Sequence, residues 1–137
     1  MNAGTVREFT VPVRVYYEDT DAGGVVYYAN YLKFFERART EWLRSLGFEQ
    51  GELARDPGVV FVVAGVEVDY KRPARFDDAL TVSVAIAERG RAGFTFAQQV
   101  RRGAELLVDA RVRVACVDAE SFKPRPLPEP ITARIDA

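Results

Sequence analysis

The chain has 137 residues, 48% of them apolar, and a formal net charge of -1. That length supports one hydrophobic core and leaves no room for a second, so a single domain over residues 1–137 is expected. The charge balance gives no basic footprint for nucleic acid or an anionic membrane, and with no histidine and one cysteine the usual zinc ligands and the Ser-His-Asp and Cys-His machineries are excluded.

No P-loop or dinucleotide fingerprint occurs either. Proton transfer near neutral pH is therefore left mainly to carboxylates, with tyrosine assisting. Residues 1–11 contain Arg7 and Glu8 and no apolar core of signal-peptide length, and no later stretch approaches a membrane span. A cytoplasmic protein is expected, and the lone Cys116 permits a reducing compartment.

In chain order, Phe9 to Tyr17 is rich in Val, Tyr and Phe and reads as a first strand, with Pro12 tolerated at a sheet edge. From about Tyr28 the residues Tyr31, Phe34, Phe35, Ala38, Trp42 and Leu46 recur every three or four positions, the apolar face of a helix that Gly47 stops. Leu32, Glu36 and Leu43 form a strip beside that face, while Lys33, Arg37, Thr40 and Arg44 point to water. "ARDPG" turns the chain into "VVFVVAGVEVDY", one strand with a bulge at Gly65. After "YKRPARFDD", the segment "ALTVSVAIAE" alternates cleanly. Phe94, Phe96, Gln98 and Val100 share a face of the next strand. Val108, Ala110, Val112, Val114 and Cys116 share a face of the last, where Cys116 reads as a core residue. The tail "KPRPLPEP" should run extended over the surface. Strand, helix and four strands in succession describe an α+β fold, a five-stranded antiparallel sheet against one long helix. The uncovered sheet face and the apolar strip of Leu32 and Leu43 at the helix flank predict a dimer.

Between the first strand and the helix lie Glu18, Asp19, Thr20, Asp21, Ala22, Gly23 and Gly24. Glycine lets such a loop bend and approach a ligand closely, and the helix that follows offers unpaired N–H groups and a partial positive charge to a carbonyl oxygen. Asp21 facing the same space would supply the base or nucleophile for acyl transfer. Read from the residues alone, Asp21 is either that carboxylate or a turn and cap residue. Glu36 either aims into an acyl pocket or pairs with Arg39 or Lys33 on the helix surface.

The stretch "YYEDTDAGGVVYYANYLKFFERARTEWL" resembles the signature of the hotdog-fold acyl-CoA thioesterases, the group containing 4-hydroxybenzoyl-CoA thioesterase and the Tol-Pal-associated enzymes. The resemblance implies a sheet wrapped around the helix and homodimers or homotetramers with acyl-CoA sites at the dimer interface. It implies catalysis by Asp21, as nucleophile or general base, with Tyr17 assisting. Where the Tol-Pal-associated group carries histidine, this chain has Tyr28, as in the hydroxybenzoyl branch. There the contribution is the backbone N–H, so the stretch from Gly24 to Tyr28 is expected to polarise the thioester carbonyl. Lys71, Arg72 and the neighbouring Arg75, with Arg89 and Arg91, are the candidates for the coenzyme A phosphates. Coenzyme A enters as part of the substrate, and neither a metal nor a separate cofactor is expected. The competing expectation is a non-catalytic protein that binds acyl-CoA or an acyl carrier protein.

Overall fold

The computed structural model describes residues 8–136; the ends of the expected domain and most of the segment used to exclude a signal peptide lie outside them. The elements are β1 (Phe9–Arg14), α1 (Asn30–Ser45), α2 (Gln50–Arg55), β2 (Val59–Tyr70), β3 (Ala79–Arg89), β4 (Gly93–Arg102), β5 (Glu105–Asp118) and α3 (Glu129–Asp136). All five strands join one sheet in the order β1-β3-β4-β5-β2, every neighbour antiparallel.

The α1 pattern folds as its spacing demands. Tyr31, Phe34, Phe35 and Ala38 are buried against the sheet, and Trp42 is half-buried with its ring edge-on to Phe94 and Phe96. Leu43, assigned above to the flanking strip, belongs to the core, whereas Leu46 and Thr40 are half-buried. Alternation in β3, β4 and β5 places Leu80, Val82, Val84, Phe94, Phe96, Val100, Val112 and Cys116 in the same core. β2 keeps one face through its bulge: the register shifts between Val63 and Gly65, so Phe61 and Val63 lie on the same side as Val66, Val68 and Tyr70.

Element bounds also differ from the sequence reading, and a short α2 (Gln50–Arg55) that it did not foresee precedes the turn into β2. The first strand stops at Arg14, because the Val15 N–H turns to Asp78 O and the Tyr16 N–H to the Asp19 carboxylate, which starts a 3-10 turn over Tyr17–Asp19. α1 begins at Asn30, two residues later than expected. The tail runs extended only to Pro128 and then forms α3, whose Ile131 is fully buried. Pro130 sits in the first turn of α3, where its missing N–H costs nothing.

Register also fixes which loops meet. Arg14, Tyr70, Ala79, Arg102 and Glu105 lie at one end of the sheet, and Val59, Arg89, Gly93 and Asp118 at the other. The two ends are about 30 Å apart at the usual strand rise. The acid and glycine loop belongs to the Tyr70 end, since Val25 bridges Arg75 and the Val26 N–H donates to Ala74 O.

Candidate active site

Asp21 opens a tight turn whose hydrogen bonds are local. Its N–H donates to Val25 O at 3.0 Å, its carbonyl accepts from the Gly24 N–H at 3.0 Å, and its Oδ1 accepts from the Gly23 N–H at 2.8 Å. Oδ2 is left over. Gly24 sits at φ +81°, where a Cβ would meet nothing within 4 Å, so backbone conformation and not space calls for glycine. The loop is anchored from behind by the Tyr27 N–H and the Asn30 side-chain amide, which both donate to Asp19 O, at 2.9 and 3.0 Å.

The approach to α1 is built from two oriented peptide groups. The Asn30 N–H donates to Tyr27 O at 2.8 Å, and the Tyr70 hydroxyl donates to Tyr28 O at 3.1 Å. In a trans peptide the C=O and N–H point in opposite directions. The Tyr28 N–H therefore faces away from the Asn30 amide, and the Ala29 N–H away from the Tyr70 hydroxyl. Neither has an acceptor among the described residues, and Ala29 provides no side-chain cap. Both are open donors at a helix start.

Aromatic rings hold this stretch in place. Tyr27 and Tyr28 lie 4.8 Å apart, Tyr28 is edge-on to Tyr70 at 6.2 Å, and Tyr70 meets the buried Tyr31 at 5.6 Å. The Tyr31 hydroxyl accepts from the Ala74 N–H at 3.0 Å, and burial raises its phenol pKa. The Tyr27 phenol is also raised, chiefly by its hydrogen bond with Tyr28, with the Asp21 carboxylate a smaller cause. The Asp21 carboxylate is thus within electrostatic reach of the Tyr27 phenol.

The remaining predicted site residues divide by position. Tyr17 packs edge-on to Phe76 at 5.9 Å and is 79% exposed; Tyr28 is 61% exposed, and Asp21 and Gly24 are exposed as well. In the isolated chain the candidate site is an open ledge. Lys71 and Arg72 lie at the same end of the sheet, but Lys71 pairs with Asp69 at 2.9 Å and Arg72 with Glu105 at 3.4 Å. Arg75, bridged to Val25, has no carboxylate within ion-pair distance among the described residues. Arg89 and Arg91 lie at the opposite end, and Arg89 is held by both oxygens of Asp136. Within one chain the two basic pairs do not meet. Glu36 is exposed and accepts from the Thr40 hydroxyl at 2.7 Å, without the expected ion pair to Arg39 or Lys33. Among the described residues no group of three or more acidic or cysteine side chains could hold a metal ion.

Comparison with known proteins decides the family. The thioesterase-like superfamily matches residues 15–135. The chain belongs to that superfamily. This thioesterase-like chain is 49% identical to the acyl-CoA thioesterase YbgC of Haemophilus influenzae, over 91% of the chain and 92% of that protein. It is 48% identical to the acyl-CoA thioester hydrolase YbgC of Escherichia coli O6:H1, over 91% and 93%. A probable thioesterase from Bartonella henselae superposes with a TM-score of 0.83 at 42% identity, covering 90% of this chain and all of that one. A 1,4-dihydroxy-2-naphthoyl-CoA thioesterase from Synechocystis superposes at 0.87 with 26% identity, over 95% and 96%. The hotdog sheet and helix expected from the sequence are those of these thioesterases.

Two residues that spacing did not single out matter here. Tyr70 orients the approach to α1, and Arg39, a residue of α1, lines a cavity described below. The first is 42 positions from the carbonyl it holds, and nothing local to either residue signals the contact.

Proposed function

We propose that the chain hydrolyses acyl-CoA thioesters by a histidine-free mechanism, with Asp21 as general base and the open amides of Tyr28 and Ala29 as oxyanion donors. The observation that carries this reading is the pair of fixed peptide groups with unspent N–H groups, at the end of the loop that the Tyr27 N–H and the Asn30 amide anchor through Asp19 O. Asp21 Oδ2 takes a proton from water as the water oxygen bonds to the acyl carbon, and the carbonyl oxygen gathers charge that the amides stabilise. The C–S bond then breaks, the thiolate leaves, and the proton on Asp21 passes to its sulfur. A thiolate needs little acid assistance to leave, because a thiol pKa lies near 8.5.

The covalent alternative consumes Asp21 in forming an anhydride and requires another base for the second step. The single displacement needs only the one carboxylate, which keeps Asp21 free to act as base throughout. Arg75 is the best placed cation for a coenzyme A phosphate, with Lys71 and Arg72 beside it. The reaction as written uses no metal or separate cofactor, and a cytoplasmic location follows from the substrate. No helix among the described residues is long and apolar enough to cross a membrane.

The open ledge calls for a cover, and a second copy of the chain is the proposed one. The core-facing side of β2 is left half bare, with Val63 50%, Val66 41% and Tyr70 43% exposed, and Leu32 of α1 adds to the strip at 39%. β2 is also a sheet edge of 12 residues, long enough to pair with its own copy. Asp21→Asn tests the mechanism: turnover of an acyl-CoA panel should fall about 10²-fold to 10⁴-fold, with circular dichroism unchanged. Parental turnover in the folded variant would remove Asp21 from the reaction. One turnover in ¹⁸O-water should label the released acid alone; label in Asp21 would establish the anhydride route.

A further inference from the structure

Away from the acid loop, a cavity of about 130 Å³ lies between α1 and the sheet, lined among others by Glu36, Arg39, Trp42, Phe61, Phe94 and Phe96. The aromatic wall is continuous: Trp42 is 5.8 Å from Phe94 and 5.3 Å from Phe96, and Phe61 is 6.0 Å from Phe94. Arg39 is half-buried, and burial pulls its guanidinium below the ordinary range against the opposing influence of Glu36.

Arg39 is an under-used cation. Its Nη1 donates to Gln98 Oε1 at 2.9 Å, and no carboxylate among the described residues lies within ion-pair distance. Gln98 is fully buried and locked, its amide donating to Phe35 O at 3.1 Å and Ser83 O at 3.3 Å. The glutamine therefore fixes the guanidinium while using one of its five N–H groups. A partly desolvated planar cation beside apolar rings recognises a planar anion with an apolar body. Size narrows the choice, since an apolar cavity of about 150 Å³ is known to admit benzene.

We propose that this cavity binds a small carboxylate with an aromatic or branched aliphatic body, its carboxylate on Arg39 and its body among Trp42, Phe61, Phe94 and Phe96. Glu36 opposes the bound charge and sets its affinity. Thioester hydrolysis releases acids, so the class of ligand is one that this family produces. Arg39 is about 14 Å along α1 from Asn30 at the usual helix rise, and the site stands on the cavity alone, independently of the role of Asp21.

Trp42 is the chain's single tryptophan, so its fluorescence reports occupancy directly. The full chain is titrated with sodium benzoate and with benzamide, its uncharged counterpart of the same shape. Benzoate should give a saturable change and bind about tenfold or more tighter than benzamide, the worth of a charged hydrogen bond. Arg39→Met should abolish that preference, Glu36→Gln should strengthen benzoate binding, and Val63→Phe, which fills the cavity and leaves the arginine, should eliminate it. Asp21→Asn should bind benzoate as the parent does, which separates loss of this site from loss of turnover. Equal binding of the two probes, benzoate binding by Val63→Phe, or no saturable change would overturn the proposal.

Discussion

A single hydroxyl connects the far end of β2 to the start of α1. Tyr70 donates to Tyr28 O at 3.1 Å, and through the planarity of the peptide this sets the direction of the Ala29 N–H. Tyr70→Phe keeps the ring contacts and removes only the donor. It should lower kcat about tenfold with KM unchanged, because an oxyanion donor acts on the transition state and a misaligned one loses part of the 10² to 10³ attributed to such groups. The stability cost should stay near 1 kcal/mol, as for other single hydrogen bonds. Equal kcat in parent and variant would assign Tyr70 to packing alone. Asp21, Gly24 and Tyr28 stand out in the sequence as candidates because their signals are local: an acid, a glycine that the structure holds at φ +81° and a helix start within a few residues. Tyr70 was not, since its partner is close only after β2 has been laid beside the helix.

At the scale of elements, periodicity located the strands and α1 and misplaced their ends. Strand one continues in pattern to Tyr17, but the backbone donors of Val15 and Tyr16 find partners elsewhere. α3 was hidden by its own prolines, which forbid a helix interior yet suit a first turn. The turn that leaves β5 carries a pH-dependent contribution of its own. Asp118 accepts from the N–H groups of Ser121 and Glu120 and pairs with Arg125 at 3.0 Å, and these bonds hold its carboxyl at about 2, below the ordinary 3.8. Because the folded value is the lower one, this stabilisation is complete above about pH 4 and is lost as the pH falls toward 2. Urea melts at pH 7, 4 and 2 should show Asp118→Asn less stable than the parent at neutral pH, with the gap closing at pH 2. A gap independent of pH would attribute the effect to packing.

For the whole molecule, the two edges of the sheet differ. β1 is short and carries Pro12, a residue that blunts pairing. β2 is twice as long and shows Val63, Val66 and Tyr70 on the face that α1 leaves uncovered. Light scattering should find the parent as a dimer or a larger even assembly. Val66→Lys should shift it toward monomer, with thioesterase activity falling alongside as the ledge around Asp21 loses its cover. A monomeric parent with full activity would refute the shared site. Within one chain the two basic pairs stand at opposite ends of the sheet, about 30 Å apart.

The amino-acid sequence by itself determined the α+β class, the five strands, the bulge at Gly65 and the loop that carries Asp21, because each depends on residues a few positions apart. Tertiary structure alone decided that Tyr70 orients Tyr28, that Arg39 keeps unspent donors beside Gln98 and a ring of aromatics, and that Arg89 and Arg91 lie far from the acid. Those are contacts between residues tens of positions apart, and sheet order and register, which no local pattern encodes, bring them together or keep them separate.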